Sequence, residues 1–141
     1  MLTHVSLVTL YVTDQDAAKS FYCDVLGFVE GTDVAMEDGY RWVTVTLPSQ
    51  PELQVTLMKP GPPLDDQMAD AVTRSLAAGR MGGFGLTTDD CRAEYSRLAA
   101  RGVEFTQPPA ERPYGIEAVF RDDLGNWLVL VEPRPHDGSP F

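Results

Sequence analysis

The chain states one pattern twice, and a duplicated module of this length leaves few folds open to it. The first copy runs from LVTLYVTDQDAAKSFYCDVLGF to LQVTLMKP and the second from GFGLTTDDCRAEYSRLAARGVEF to GNWLVLVEP. Gly27 and Gly102, which close the two helical stretches, stand 102 − 27 = 75 positions apart, and the closing prolines Pro60 and Pro133 stand 133 − 60 = 73 apart. A solenoid needs at least about three shorter units to bury a core. Two long copies point instead to a duplicated supersecondary module sharing one site.

Each copy reads as strand, helix, three strands. Val5 to Val12 is rich in β-branched and apolar types, which predicts a strand covered on both faces. Thr13 or Asp14 caps a helix whose Ala18, Phe21, Tyr22, Val25 and Leu26 recur at helical spacing until Gly27 stops it. Strands over 28–36, 40–47 and 53–59 follow, with Glu37-Asp38-Gly39 as a hairpin turn. The PGPP run at 60–63 ends the first copy, and 64–78 read as a short linker helix. Residues 80–83 lead into the second copy. There, 84–88 form a strand, Asp89 caps a helix ending at Gly102, and 103–105, 116–121 and 127–131 supply the remaining strands. The DDLGN run at 122–126 is a tight turn, where Gly and Asn tolerate positive φ. The expected fold is α+β: two βαβββ modules forming curled mixed sheets around a shared cleft, helices outside. One domain spans 1–141, with module one over about 4–60, a linker over about 61–80, module two over about 81–133, and a mobile tail over 134–141.

The net charge of −10, from 21 acidic and 11 basic residues, argues against nucleic acid as a partner, because phosphate binding relies on clustered Lys and Arg. An acidic surface favours solubility and attracts cationic ligands. No apolar run approaches the ~20 residues of a membrane helix, and Met1 leads straight into a strand-like segment rather than a signal peptide. A cytoplasmic protein is expected. Cys23 and Cys91 sit within helical patterns and read as buried or half-buried thiols, not a disulfide. Neither has a His nearby in sequence, so no nucleophilic triad is indicated. The glycines of 80–85 lack the spacing and lysine of a phosphate loop.

YVTDQDAAKSFYCDVLGF and FRDDLGNWLVLVEP carry a resemblance to the vicinal oxygen chelate superfamily, which includes glyoxalase I, extradiol dioxygenases, fosfomycin-modifying enzymes and bleomycin resistance proteins. It extends from Val5 to Pro133. The resemblance implies a metal ligand, usually His, Gln or Glu, on the first and last strand of each module. Counted from the helices and turns, those positions hold Leu7, Thr56, Gly83 and Val129. They offer one weak oxygen donor, whereas catalytic metal sites take about three good protein ligands. His4 is an odd number of residues from Leu7 and so points to the opposite face of the strand. Glu132 alternates away from Val129 in the same manner, and His136 falls in the tail. No metal or other cofactor is expected.

Alternation leaves Leu7, Thr9 and Tyr11 on one face of the first strand, Tyr40, Trp42, Thr44 and Thr46 on one face of the middle strand, and Trp127, Val129 and Val131 on one face of the last. With Thr56 they describe either a small-molecule pocket or ordinary core filling. Glu117 and Arg121 share a face through Val119 and supply a carboxylate and a guanidinium for a polar ligand or for each other. Arg41 alternates away from Trp42. The leading expectation is a metal-free protein that sequesters a small organic, possibly cationic, ligand in an aromatic-lined cleft. The alternative is a glyoxalase- or dioxygenase-like enzyme with a shifted metal site or an acid–base residue around Glu117. Because sheet edges need covering and relatives of this fold pair modules between chains, a homodimer is expected.

Overall fold

The structure, a computed structural model, describes residues 1–135. Of the tail expected to be mobile over 134–141, residues 136–141, His136 among them, lie outside the described residues, while Arg134 is tied back by its N–H to Tyr114 O at 2.9 Å and its guanidinium to Glu111 at 2.8 Å. The chain divides into two compact units, Met1–Ala78 and the residues from Gly79 onward, each built on one plan.

The first unit contains β1 (Leu7–Tyr11), α1 (Gln15–Ser20), a π-helical turn (Phe21–Val25), β2 (Val29–Ala35), β3 (Arg41–Thr46), β4 (Gln54–Met58) and α2 (Asp66–Ala77). Its sheet has the order β1-β4-β3-β2, with β1 parallel to β4 and the other pairs antiparallel. The second unit contains β5 (Met81–Thr87), α3 (Cys91–Ala100), β6 (Phe105–Arg112), β7 (Gly115–Arg121) and β8 (Asn126–Pro133). Its sheet repeats the plan as β5-β8-β7-β6, again with one parallel pair. Both are mixed four-stranded sheets of the α+β class. A parallel pair at one side requires a crossover, and the helix after the first strand starts it.

The duplication is visible in local chemistry. Asp14 and Asp90 hold extended backbone and accept hydrogen bonds from Ala17 N and Ala93 N at 2.9 and 3.0 Å. The second cap is therefore Asp90 and not Asp89, because only Asp90 stands one residue before the first helical turn. Gly27 and Gly102 close the helices at φ +87° and +88°, a conformation that an added Cβ would strain. The copies diverge where α1 widens into its π-helical turn. There Tyr22 is sealed edge-on between Phe21 and Phe28, with ring centroids 5.4 and 5.5 Å away.

One face of each sheet forms the core. Leu10, Val12, Val43, Val45, Val55 and Leu57 are buried with Ala18, Phe21 and Tyr22 of the helical segment. In the second unit Ile116, Ala118, Phe120, Leu128 and Leu130 are buried with Cys91 and Leu98. Three sequence expectations change. β1 is not covered on both faces: Leu7 is 41% exposed and Val8 36%, because β1 is an edge strand and burial is confined to its far end. The strand expected over 103–105 is instead Phe105–Arg112 and runs through Pro108 and Pro109, which an edge strand with shifts in register tolerates. In the DDLGN turn only Gly125 has positive φ; the Asp122 carboxylate organises the rest by accepting from Leu124 N and Asn126 N, both at 2.9 Å.

Candidate functional site: the open sheet faces

The residues that alternate away from each core form the candidate site, and each unit is considered in its own frame. In the first unit, strand register arranges them in rows. Thr9 pairs with Thr56, and Thr56 with Thr44, giving a row of hydroxyls across three strands. Tyr11 pairs with Met58, and the same antiparallel register puts Trp42 opposite Met58, giving an apolar and aromatic row. Leu7 pairs with Gln54, with Thr46 opposite in turn. Tyr40 extends the aromatic row, its ring centroid 6.3 Å from that of Trp42. Burial pushes its phenol above the ordinary value, helped by Asp38 and Tyr11.

Thus Leu7, Thr9, Tyr11, Trp42, Thr44 and Thr56 share one face. Leu7 and Thr9 are exposed, Tyr11 and Trp42 half-buried, and Thr44 and Thr56 buried. β1, β3 and β4 bring no charged side chain to it. Gln54, which sequence reading passed over, belongs to the same face; its alternation with Thr56 was the available signal. Two polar details stand out. The Thr56 hydroxyl is buried with no hydrogen-bond partner among the described residues. Thr44 Oγ1 accepts from Thr32 N at 2.9 Å and donates to Gln54 Oε1 at 2.5 Å.

The charge on β3 goes to the other face. Arg41 binds Asp33 through two nitrogens at 2.8 Å and Asp16 at 2.8 Å, while Lys19 binds Asp33 at 2.9 Å and also reaches Glu30. Hydrogen bonds from Arg41 and then Lys19 hold the Asp33 carboxyl well below the usual carboxylate range.

In the second unit, Arg121 pairs with Trp127, Val119 with Val129 and Glu117 with Val131, so all six share a face. Trp127 is 42% exposed, Val119 and Val129 are half-buried, and Val131 is buried. Glu117 and Arg121 are not paired with each other. The Glu117 carboxylate accepts from Tyr114 Oη at 2.5 Å and from Gln107 Nε2 at 3.5 Å, and Arg112 Nε lies 3.6 Å away. The bond to Glu117 pushes the Tyr114 phenol up. Arg121 faces Glu104 at 3.6 Å. Glu132 projects toward α3 and accepts from Cys91 N at 3.0 Å, satisfying one of the amides at the start of that helix. Burial raises both the Cys23 and Cys91 thiols, which disfavours the nucleophilic thiolate.

Leu7, Thr56, Gly83 and Val129 supply a single hydroxyl, and that hydroxyl is sealed. Gly83 lies where β5 shifts register against β8. His4 is exposed, lies before β1, and contacts Thr3 Oγ1 through Nδ1 at 3.1 Å. Among the described residues no three His, Cys, Asp or Glu side chains gather as a metal site would require. The donor set does not fit a divalent metal.

This plan is matched by the family model for the glyoxalase/bleomycin resistance protein/dioxygenase superfamily, over residues 2–130. The chain belongs to that superfamily. Among solved members, UcmS2 is 41% identical with a TM-score of 0.85, covering 94% of this chain and 99% of its own. TnmS3, described as an antibiotic binding protein from Streptomyces sp. CB03234, is 31% identical with a TM-score of 0.75, covering 94% and 98%. A protein of Shewanella frigidimarina (strain NCIMB 400) is 36% identical over 133 residues, 93% of this chain and 92% of its own. Superfamily membership fixes the architecture, while the chemistry follows from the residues on the open faces.

Proposed function

We propose that the protein binds and sequesters small organic molecules on its open sheet faces, the first unit presenting Leu7, Thr9, Tyr11, Trp42, Thr44 and Thr56 and the second, taken by itself, presenting Glu117, Arg121, Trp127 and Val129. The observation that carries this reading is the composition of the first face, where aromatic and hydroxyl rows adjoin without a charged group. Such a surface binds by shape, stacking and a few hydrogen bonds, and lacks an arrangement for nucleophilic attack or metal activation. The description of TnmS3 as antibiotic-binding supports the same class of role.

An intrinsic-fluorescence screen against aromatic and cationic compounds tests it. Hits should quench or shift the indole emission, and Trp42→Ala should weaken binding while the protein still melts cooperatively. No hit in either class, or hits untouched by Trp42→Ala and by Trp127→Ala, would remove the reading.

The Tyr114–Glu117 pair favours a second reading, a metal-independent acid–base enzyme. It requires turnover of a bound compound that Glu117→Gln abolishes without loss of binding. A phenol held protonated by its own carboxylate partner supports a structural pairing over proton transfer.

A further inference from the structure

Gln54 is held in one orientation by a relay of hydrogen bonds, and the relay leaves half of its amide unused. Thr32 N donates to Thr44 Oγ1, so a lone pair of that hydroxyl is occupied and its hydrogen is directed elsewhere. The hydrogen goes to Gln54 Oε1. With Oε1 facing Thr44, Nε2 turns away with two donor hydrogens. Nε2 has no hydrogen-bond partner among the described residues.

Gly31 makes room for this device. A β-carbon at Gly31 would stand 2.4 Å from Thr44 Oγ1 and 2.5 Å from Gln54 Oε1, and Gly31 occupies the register shift between Glu30 and Asp33. The half-buried Gln54 shares a row with Leu7 and adjoins the hydroxyl row, on whose far side lies the row of Tyr11, Met58 and Trp42. The neighbouring strands offer no counter-charge, so desolvating an ion here would be costly. An uncharged acceptor satisfies the two donors without that penalty.

We propose that Gln54 is the specificity-determining donor of this face, and that its ligand is an uncharged molecule presenting a carbonyl-type acceptor beside an apolar body. This rests on the small-molecule reading above and narrows its ligand class. Thr44 and Gly31 act as positioning residues that fix which end of the amide meets the ligand.

Equilibrium dialysis with 9-fluorenone and fluorene, which differ by a carbonyl in place of a methylene, tests the assignment. The wild-type protein should retain fluorenone more tightly by roughly threefold to tenfold, the scale of one net hydrogen bond. Gln54→Met, of similar length and without donors, should erase that preference. Gln54→Glu, which offers acceptors and a charge, should reverse it. Equal retention of both compounds by wild type and Gln54→Met overturns the role of Gln54 alone. Retention of neither compound by the wild-type protein overturns the small-molecule reading beneath it. A circular-dichroism melt of each variant separates loss of preference from loss of fold.

Discussion

The indole of Trp127 lies over Gly82: a β-carbon on Gly82 would meet Cζ2 of the ring at 3.3 Å and Nε1 at 3.5 Å. One residue on, a β-carbon at Gly83 would meet the main-chain oxygen of Trp127 at 2.6 Å. These adjacent glycines are required for different reasons. An exposed ring can shift by a few tenths of an ångström, whereas the paired backbone of β8 cannot.

Gly82→Ala is thus expected to change stability by less than about 1 kcal/mol while altering the emission of Trp127, and Gly83→Ala to cost about 1–3 kcal/mol as an overpacking defect. Urea denaturation followed by circular dichroism, with emission spectra of the folded variants, checks both. Equal costs at the two positions would contradict the distinction.

Period-two alternation made the open faces legible in the sequence, because Leu7, Thr9 and Tyr11 or Trp127, Val129 and Val131 need only a strand to share a face. Burial was less legible. Val8 reads as core from its type and is 36% exposed, since edge position is set by strand order rather than by the residues of β1. Alternation puts Glu117 and Arg121 on a common face, but their partners Tyr114 and Glu104 depend on register across β6 and β7. Alternation alone does not single out Gln54, whose setting comes from Thr32, Thr44 and Gly31, which meet only through pairing.

Thr56 and Thr44 should respond oppositely to Val. The Thr56 hydroxyl is buried without a partner among the described residues, so Thr56→Val should leave stability unchanged or raise it by about 1 kcal/mol. Thr44→Val deprives Thr32 N and Gln54 Oε1 of their partner and should cost about 1–2 kcal/mol. Paired urea titrations decide this. A clear loss in Thr56→Val would show that its hydroxyl is satisfied in solution.

Asp33 gives the first unit a pH dependence of known sign. A carboxyl whose folded pKa is depressed adds stability that is fully present above the unfolded value, about 3.9, and is lost as pH falls through the folded one. Asp33→Asn should therefore lower Tm at pH 7, and the gap from wild type should narrow as pH drops below about 4. A gap independent of pH would assign the loss to packing and not to the Arg41 and Lys19 pairings.

Purified protein dialysed against trace Zn, Ni, Mn and Fe should hold none of them stoichiometrically, because the four expected positions offer one sealed hydroxyl. Elemental analysis checks it. One ion retained per chain, and lost in His4→Ala, would relocate the site to the segment before β1.

The edge strand β1 carries the prediction about assembly. Leu7 and Val8 are 41% and 36% exposed on a strand whose outer edge has no neighbour in its sheet, and Val5, just before the strand, is 66% exposed. An apolar edge of this kind invites a partner, and closure by two-fold symmetry makes a homodimer the expected assembly. Sedimentation at micromolar concentration should give about twice the 15.5 kDa chain mass. Val8→Lys, which puts a charge on that edge, should shift the equilibrium toward monomer and make Tm depend more steeply on protein concentration. A wild-type monomer whose stability is unchanged by dilution, with Val8→Lys silent, would mean that the exposed residues of β1 do not serve association.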